Sequence, residues 1–371
     1  MAIKGANLVG GVPQNSLSFV EIENEFGQNS KRSLGKYRMN NLNIGDLSEV
    51  SLSRDGCGKN ANSNIPVDNQ PISFSNFYSA KQNIIIDFYT NNQNRINAKT
   101  DKYNSSNANG RYVVVGSPTN AKPSSTNGKK VIIHVNKNIG SEKNNVQHCA
   151  LRTGNWVAGT ELLVEVGSNG YITGAGGEGG DSRRQSSGLN GSQGTSALGV
   201  QYNGTKIQTT GGKIYAGFGG GGAGGGGDTK KEGSRWGAGR GPEVIGAGGG
   251  GGGGAGKPAG SGGTSPDGAA FNGGNGSLTT GGLGTLGAKK TSRGDAAING
   301  GRGGNGAQFN ATKGGDGAAS FLSGRRHEDP FTTNGGNGAG NGSAIRKSSG
   351  VSFTLIGSPN TFGSTTDTGV S

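Results

Sequence analysis

Residues Gly246-Ala247-Gly248-Gly249-Gly250-Gly251-Gly252-Gly253-Gly254-Ala255-Gly256 carry no side chain larger than a methyl group. An amphipathic helix or a half-buried strand needs apolar side chains at a fixed period, and this run has none. Related stretches recur at 174–180, 211–227, 273–287, 300–306 and 335–342. Three structures suit such sequence. A flexible linker is the first. Collagen is the second, but the Gly-X-Y period fails within a few residues of each run and the chain has only 10 prolines. The third is a bundle of polyglycine II helices, each with about three residues per turn and no internal hydrogen bonds. Their amides and carbonyls point outward and can bond to neighbouring rods if no side chain holds the backbones apart. Ordering 64 glycines costs on the order of tens of kcal/mol more than ordering alanines would. Close bonding between rods is the term that can offset this. Turn-like segments such as Pro266-Asp267-Gly268 separate the runs, as a folded bundle requires. The expectation is therefore a packed polyglycine II bundle.

Outside these runs the chain changes character. Of 80 glycines in 371 residues, 16 fall in residues 1–170 and 64 in residues 171–371. Hydrophobic residues make up 29%, too few for one large conventional core. Four segments follow. Residues 1–80 form a small module with Phe19, Ile22 and Phe26 on one helical face and the phrase Phe74-Ser75-Asn76-Phe77 near its end. Its apolar set is too small for an independent domain, so it is expected to dock on something else. Residues 81–173 read as β, with Ile-, Val- and Tyr-rich strands at 83–89, 111–115, 131–135 and 161–166. An antiparallel, β-sandwich-like arrangement is expected there. Residues 174–345 hold the glycine bundle. In 346–371, Val351-Ser352-Phe353-Thr354-Leu355-Ile356 alternates as a strand that returns to the β region. The fold class expected is mainly β with a polyglycine II bundle.

Net charge is +13, but the excess is spread along both halves. Nucleic-acid binders concentrate cations with stacking aromatics, so no nucleic-acid partner is expected. Cys57 and Cys149 stand far apart without metal-site spacing, and His134, His148 and His327 share no zinc pattern. No metal or cofactor is expected, and His134 reads as structural. Reduced thiols are the expectation for both cysteines. Asp267, Asp295 and Asp316 are separate, unlike the paired carboxylates of a glycosidase. A non-enzyme is expected. No apolar stretch approaches the roughly 20 residues of a membrane helix.

The stretch Ser18-Phe19-Val20-Glu21-Ile22-Glu23-Asn24-Glu25-Phe26-Gly27, then Ser33-Leu34-Gly35-Lys36-Tyr37, resembles a short N-terminal module of tailed-phage tail proteins. The phrase Ile72-Ser73-Phe74-Ser75-Asn76-Phe77-Tyr78 is especially similar to those of marine and cyanobacterial phages. The glycine-rich region resembles that of phage tail-fibre adhesins, which carry variable loops at one end of a polyglycine sandwich. This resemblance implies a receptor-binding virion tail protein; the alternative is a purely structural tail or baseplate component. The implied partners are other tail or baseplate proteins and a bacterial surface receptor, either an outer-membrane protein or an envelope polysaccharide. It would act as a homotrimer or as a monomer on a trimeric fibre. The N-terminus lacks a signal peptide, so assembly in the host cytoplasm is expected.

Rods packed through their backbones leave few side chains for specificity, so recognition is expected in the segments between them. Four are rich in cations and aromatics: Arg183-Arg184; Lys230-Lys231 with Arg235-Trp236; Lys289-Lys290 with Arg293; and Arg325-Arg326-His327 with Phe331. Arg and Trp are enriched in binding hot spots. Attachment to the particle is expected from Phe19, Ile22, Phe26, Leu34, Tyr37, Phe74 and Phe77.

Overall fold

The computed structural model describes residues 8–9, 12–13, 16–26, 34, 71–77, 83–88, 93–104, 111–115, 123–143, 145–229, 244–291, 297–308, 310–323, 330–366 and 369–370. Helix Phe19–Phe26 opens with a reciprocal capping box. The Ser18 amide donates to Glu21 Oε2 (2.8 Å) and the Glu21 amide to Ser18 Oγ (3.3 Å).

The β region is a three-sided parallel solenoid, and this corrects the antiparallel sandwich expected for 81–173. Five rungs each contribute one strand to each of three sheets. The rungs are Asn83–Phe88, Gln93–Asn94 and Ile96–Asn97; Lys130–Val135, Asn138–Gly140 and Cys149–Arg152; Glu161–Val166, Tyr171–Thr173 and Ser196–Val200; Thr205–Thr209, Lys213–Tyr215 and Ser343–Lys347; and Phe353–Leu355, Thr361–Phe362 and Ser364–Thr366. Every pairing between rungs is parallel. Among the described residues of these three sheets, Arg111–Val115 alone pairs antiparallel, on the outer edge of Asn83–Phe88. Parallel strands need a long connection, which each rung's return path supplies. The strands at 83–88 and 130–135 also lack an alternating pattern because both their faces are buried. The expected strand at 351–356 does return, and Phe353–Leu355 pairs with Thr205–Thr209.

Inside the prism, like residues stack in register. Ile86, Ile133, Val164 and Ile207 form one ladder; Ile139, Ile172 and Ile214 another; Leu151, Leu198 and Ile345 a third. Each contributes roughly 1.5–3 kcal/mol by leaving water. On the opposite face of the first sheet, His134 Nδ1 lies 2.9 Å from Asp87 Oδ1, with both side chains buried. His134 is thus structural. Cys149 is a free, buried thiol pushed up to about 12 by burial, while Cys57 lies outside the described residues.

The glycine-rich segments leave the solenoid at one corner, between the second and third sheets, after Thr173 and Tyr215, and re-enter at Ser196 and Ser343. Residues 217–226 show how they pack. Gly217, Gly220, Ala223 and Gly226 donate to the carbonyls of Thr195, Ser192, Leu189 and Ser186. Phe218, Gly221 and Gly224 donate to Ala255, Gly252 and Gly249; Gly222 and Gly225 donate to Gly315 and Ala318. Their carbonyls accept from three further rods: from Gly177 and Gly180; from Ala307, Gly304 and Gly301; and from Gly342, Ala339 and Gly336. The partner changes with a three-residue period, and one rod touches six neighbours. This is hydrogen bonding of the polyglycine II type. A Cβ on Gly222 would lie 2.0 Å from the Gly336 carbonyl oxygen, and one on Gly251 2.1 Å from that of Gly221.

Peripheral rods face positions where no backbone carbonyl is available. There, side chains substitute. Asn275 Oδ1 accepts from the Gly262 amide (2.9 Å), Asn272 from Ser265 (2.7 Å), Asn305 from Gly284 (2.9 Å) and Asn190 from Asn337 (2.7 Å). These asparagine side chains, two of them (Asn275 and Asn305) within Gly-Gly-Asn-Gly phrases, complete the ladder at the bundle's surface.

Candidate functional site

The hydrogen-bond registers make alternate rods antiparallel. Rods 174–180, 217–226, 260–265, 281–288 and 313–320 run away from the solenoid; rods 187–195, 247–255, 271–277, 300–307 and 333–342 run back. Near-end turns rest on the solenoid, as where the Ser141 amide donates to the Lys257 carbonyl (3.0 Å). The far end gathers residues 181–186, 227–229, 244–246, 266–270, 289–291, 297–299, 321–323 and 330–332. Two small sheets bind them together. Gly227–Thr229 pairs with Val244–Gly246 and Pro330–Thr332, while Ala297–Asn299 pairs with Lys289–Thr291 and Phe321–Ser323.

Two polar clasps fix this surface. Asp267, its side chain 1% exposed, accepts from Arg184 Nε (3.1 Å) and Nη2 (2.8 Å) on one oxygen and from the Ala247 amide (2.9 Å) on the other. Arg184 also donates to the Pro266 carbonyl (3.2 Å). One carboxylate thereby joins two connections and the start of rod 247–255 through charge-assisted bonds. In the second clasp, Thr333 Oγ1 donates toward the carbonyls of Ser186 (2.8 Å) and Gly226 (2.5 Å), and Ser320 Oγ donates to that of Gly226 (3.1 Å).

Of the four segments singled out in the sequence, the structure describes Arg183, Arg184, Lys289, Lys290 and the backbone of Phe331, all at the far end. Arg183 is exposed, and Lys289 and Lys290 are exposed where a strand begins. Arg184 is committed to Asp267, so it holds the surface together. The backbone of Phe331 pairs with Asp228. Lys230, Lys231, Arg235, Trp236, Arg293, Arg325, Arg326 and His327 lie outside the described residues, within connections whose flanking strands are placed. Sequence reasoning missed Asp267 as an organiser. Pro266-Asp267-Gly268 signals a turn, and nothing local shows that Arg184 meets it. Among the described residues no cluster of His, Cys, Asp or Glu could hold a metal ion.

In the N-terminal module, Phe19 and Phe74 meet edge to face with centroids 6.1 Å apart, and Ile22 is fully buried. Leu34 is half-buried. Phe26 ends the helix and Phe77 ends the 3-10 turn Phe74–Phe77, while Tyr37 lies outside the described residues.

The described residues thus form a parallel β-solenoid that carries a bundle of backbone-bonded, glycine-rich rods. The profile of the family described as phage tail fibre adhesin Gp38 matches residues 91–366, and the chain belongs to that family. It is a receptor-binding adhesin of a phage tail. No curated protein matches the chain. Among solved structures, it is similar to the gp37–gp38 adhesin tip complex of the bacteriophage S16 long tail fibre. Identity is 16% and the TM-score 0.32, over 95% of this chain and 98% of that one.

Proposed function

We propose that this adhesin contacts its receptor through the five far-end connections and is held on the tail by residues 1–80. The observation that carries the first part is convergence. The described ends of segments up to about 140 residues apart in sequence lie on one end of a rigid scaffold, and four of the five connections carry Arg, Lys or aromatic residues in the sequence. Binding residues characteristically sit on loops that a rigid frame positions. Their cationic character suits phosphorylated or acidic envelope sugars, or an acidic loop of an outer-membrane protein. Trp236→Ala, alone and with a replaced 230–236 loop, should reduce adsorption to host cells without lowering the melting temperature. Unchanged adsorption of both variants removes this connection from the contact surface.

The attachment reading rests on an apolar set, Phe19, Ile22 and Phe74 among it, that makes too small a core to stand alone. Another tail-fibre or baseplate protein is the proposed partner. Deleting residues 1–80 should give particles without the adhesin while the remainder folds; normal incorporation refutes it.

A further inference from the structure

At the solenoid corner beneath the bundle, the first two rungs bring together a group of basic side chains that the adhesin reading does not use. Arg95 turns the first rung between Gln93–Asn94 and Ile96–Asn97. Arg152 ends the Cys149–Arg152 strand one rung away, and Glu142 and His148 lie on the corner loop of that same rung. Arg152 Nη2 donates to the Arg95 carbonyl (3.3 Å). Glu142 Oε2 sits 3.1 Å from Arg95 Nη1 and 3.9 Å from His148 Nδ1.

Three features set this corner apart. First, Arg95 Nε, Arg152 Nε and His148 Nδ1 are all buried without a hydrogen-bond partner. Only two other side-chain atoms among the described residues, Thr173 Oγ1 and Gln208 Oε1, share that condition. An orphaned buried donor costs roughly 1–3 kcal/mol and calls for a partner. Second, Arg95 holds a left-handed backbone, φ 49°, which is uncommon for a side-chain-bearing residue and clusters at functional positions. Third, the local field is positive. Arg346, Arg152 and Arg95 all pull on the neighbouring Cys149 thiol. Among the described residues the carboxylate in contact is that of Glu142, which is 55% exposed and so not enclosed by the corner.

We propose that this corner is an oxyanion site taking a phosphate group, either the free ion or a sugar phosphomonoester. Arg95 and Arg152 are its principal donors, the His148 imidazole borders it, and Glu142 occupies it in the unliganded protein. Guanidiniums pair bidentately with carboxylate and phosphate alike, and a phosphate brings more acceptor oxygens and more charge than the single Glu142 carboxylate, enough to reach both arginines. The partial exposure of Arg95 (31%) and His148 (19%) leaves a route in from solvent. The site is separate from the far-end connections and does not depend on their role.

The test uses the full-length protein. Inorganic phosphate, glucose 1-phosphate and acetate are titrated, with heat and the NMR shift of the His148 ring as readouts. Saturable binding of phosphate, weaker for acetate, is expected. Arg152→Gln and Arg95→Gln should each weaken it by about tenfold or more. Glu142→Gln, which removes the resident carboxylate without touching a donor, should strengthen it. Binding of both phosphates supports a monoester ligand; binding of inorganic phosphate alone confines the site to the free ion. No saturable response to either phosphate, in wild type and in Glu142→Gln, overturns the proposal. So does binding that Arg152→Gln leaves unchanged.

Discussion

Ile133 in the solenoid and Gly222 in the bundle are both buried, by opposite means. Ile133 is enclosed because its side chain stacks between Ile86 and Val164 on neighbouring rungs. Gly222 is enclosed because it has no side chain, so its amide reaches Gly315 and its carbonyl receives Gly304. The first region is held by apolar area and tolerates rearrangement of shape. The second is held by directed hydrogen bonds at backbone contact distance and tolerates none. The comparison explains how a chain with 29% hydrophobic residues can fold: the apolar share is concentrated in the solenoid, and the bundle stands on it with little.

The sharpest way to break the comparison is to add a side chain to a rod. Gly249→Val with Gly251→Val places Cβ atoms 2.1 Å from the carbonyl oxygens of Thr285 and Gly221. Backbone cannot yield as a side chain can, so the cost should exceed the roughly 1–3 kcal/mol of ordinary overpacking. Hydrogen exchange should rise throughout the rods, 174–195 and 216–342, while the first-sheet strands at 83–88 and 130–135 stay protected. A flexible-linker region would accept both valines with no change in melting temperature. Next in size is the reverse substitution in kind. Ile133→Ala leaves a cavity in the prism and should cost about 2–5 kcal/mol, read by denaturant unfolding, with the rod amides as protected as before relative to the solenoid.

Much of this division was legible in the sequence. The run at 246–256 excludes every side-chain-based element, and turn-like segments such as Pro266-Asp267-Gly268 separate the glycine-rich stretches. The solenoid was not legible. Its first-sheet strands begin at 83, 130, 161, 205 and 353, so no fixed period appears, because the bundle is inserted inside two of the rungs and the strand Arg111–Val115 lies between the first two. Strands of two or three residues, such as Gln93–Asn94 and Asn138–Gly140, carry too little pattern to read. At the far end, the cation-rich segments could be listed from sequence, but their convergence depends on rod direction, which composition leaves open. The division of labour within Arg183-Arg184 was equally hidden, since only the fold brings Asp267 to the second arginine.

A smaller test probes whether the far end is as rigid as the rods beneath it. Asp267→Asn keeps the shape but removes the charge that Arg184 and the Ala247 amide share. Because Arg184 is half exposed, screening limits the loss to about 1–2 kcal/mol. Thermal unfolding should show a small shift, with exchange increasing at 181–186 and 247 ahead of the rods. If adsorption falls by more than the stability loss accounts for, the clasp shapes the contact surface; if exchange is unchanged, the rods alone fix it.

The smallest effect lies on the bundle's flank and turns on pH. Asp316 accepts from Lys313 Nζ (2.9 Å) and from the Gly338 amide (2.8 Å). These bonds, the lysine's first, hold its carboxyl below the ordinary value of 3.8. A carboxylate depressed in the folded state stabilises the fold above its unfolded pKa and loses that contribution as pH falls through the folded one. The link between rods 313–320 and 333–342 should therefore be intact at neutral pH and weaken only below about pH 4. The pair is exposed, so salt should shrink the shift. Lys313→Met separates the two donors. Carbon NMR of the Asp316 carboxyl should then show a titration midpoint that moves up but stays below the ordinary value, because the Gly338 amide still points at the carboxylate. A full return to the ordinary value would mean that the lysine alone sets it, and that the rod amide contributes nothing when its acceptor is a side chain in place of a carbonyl.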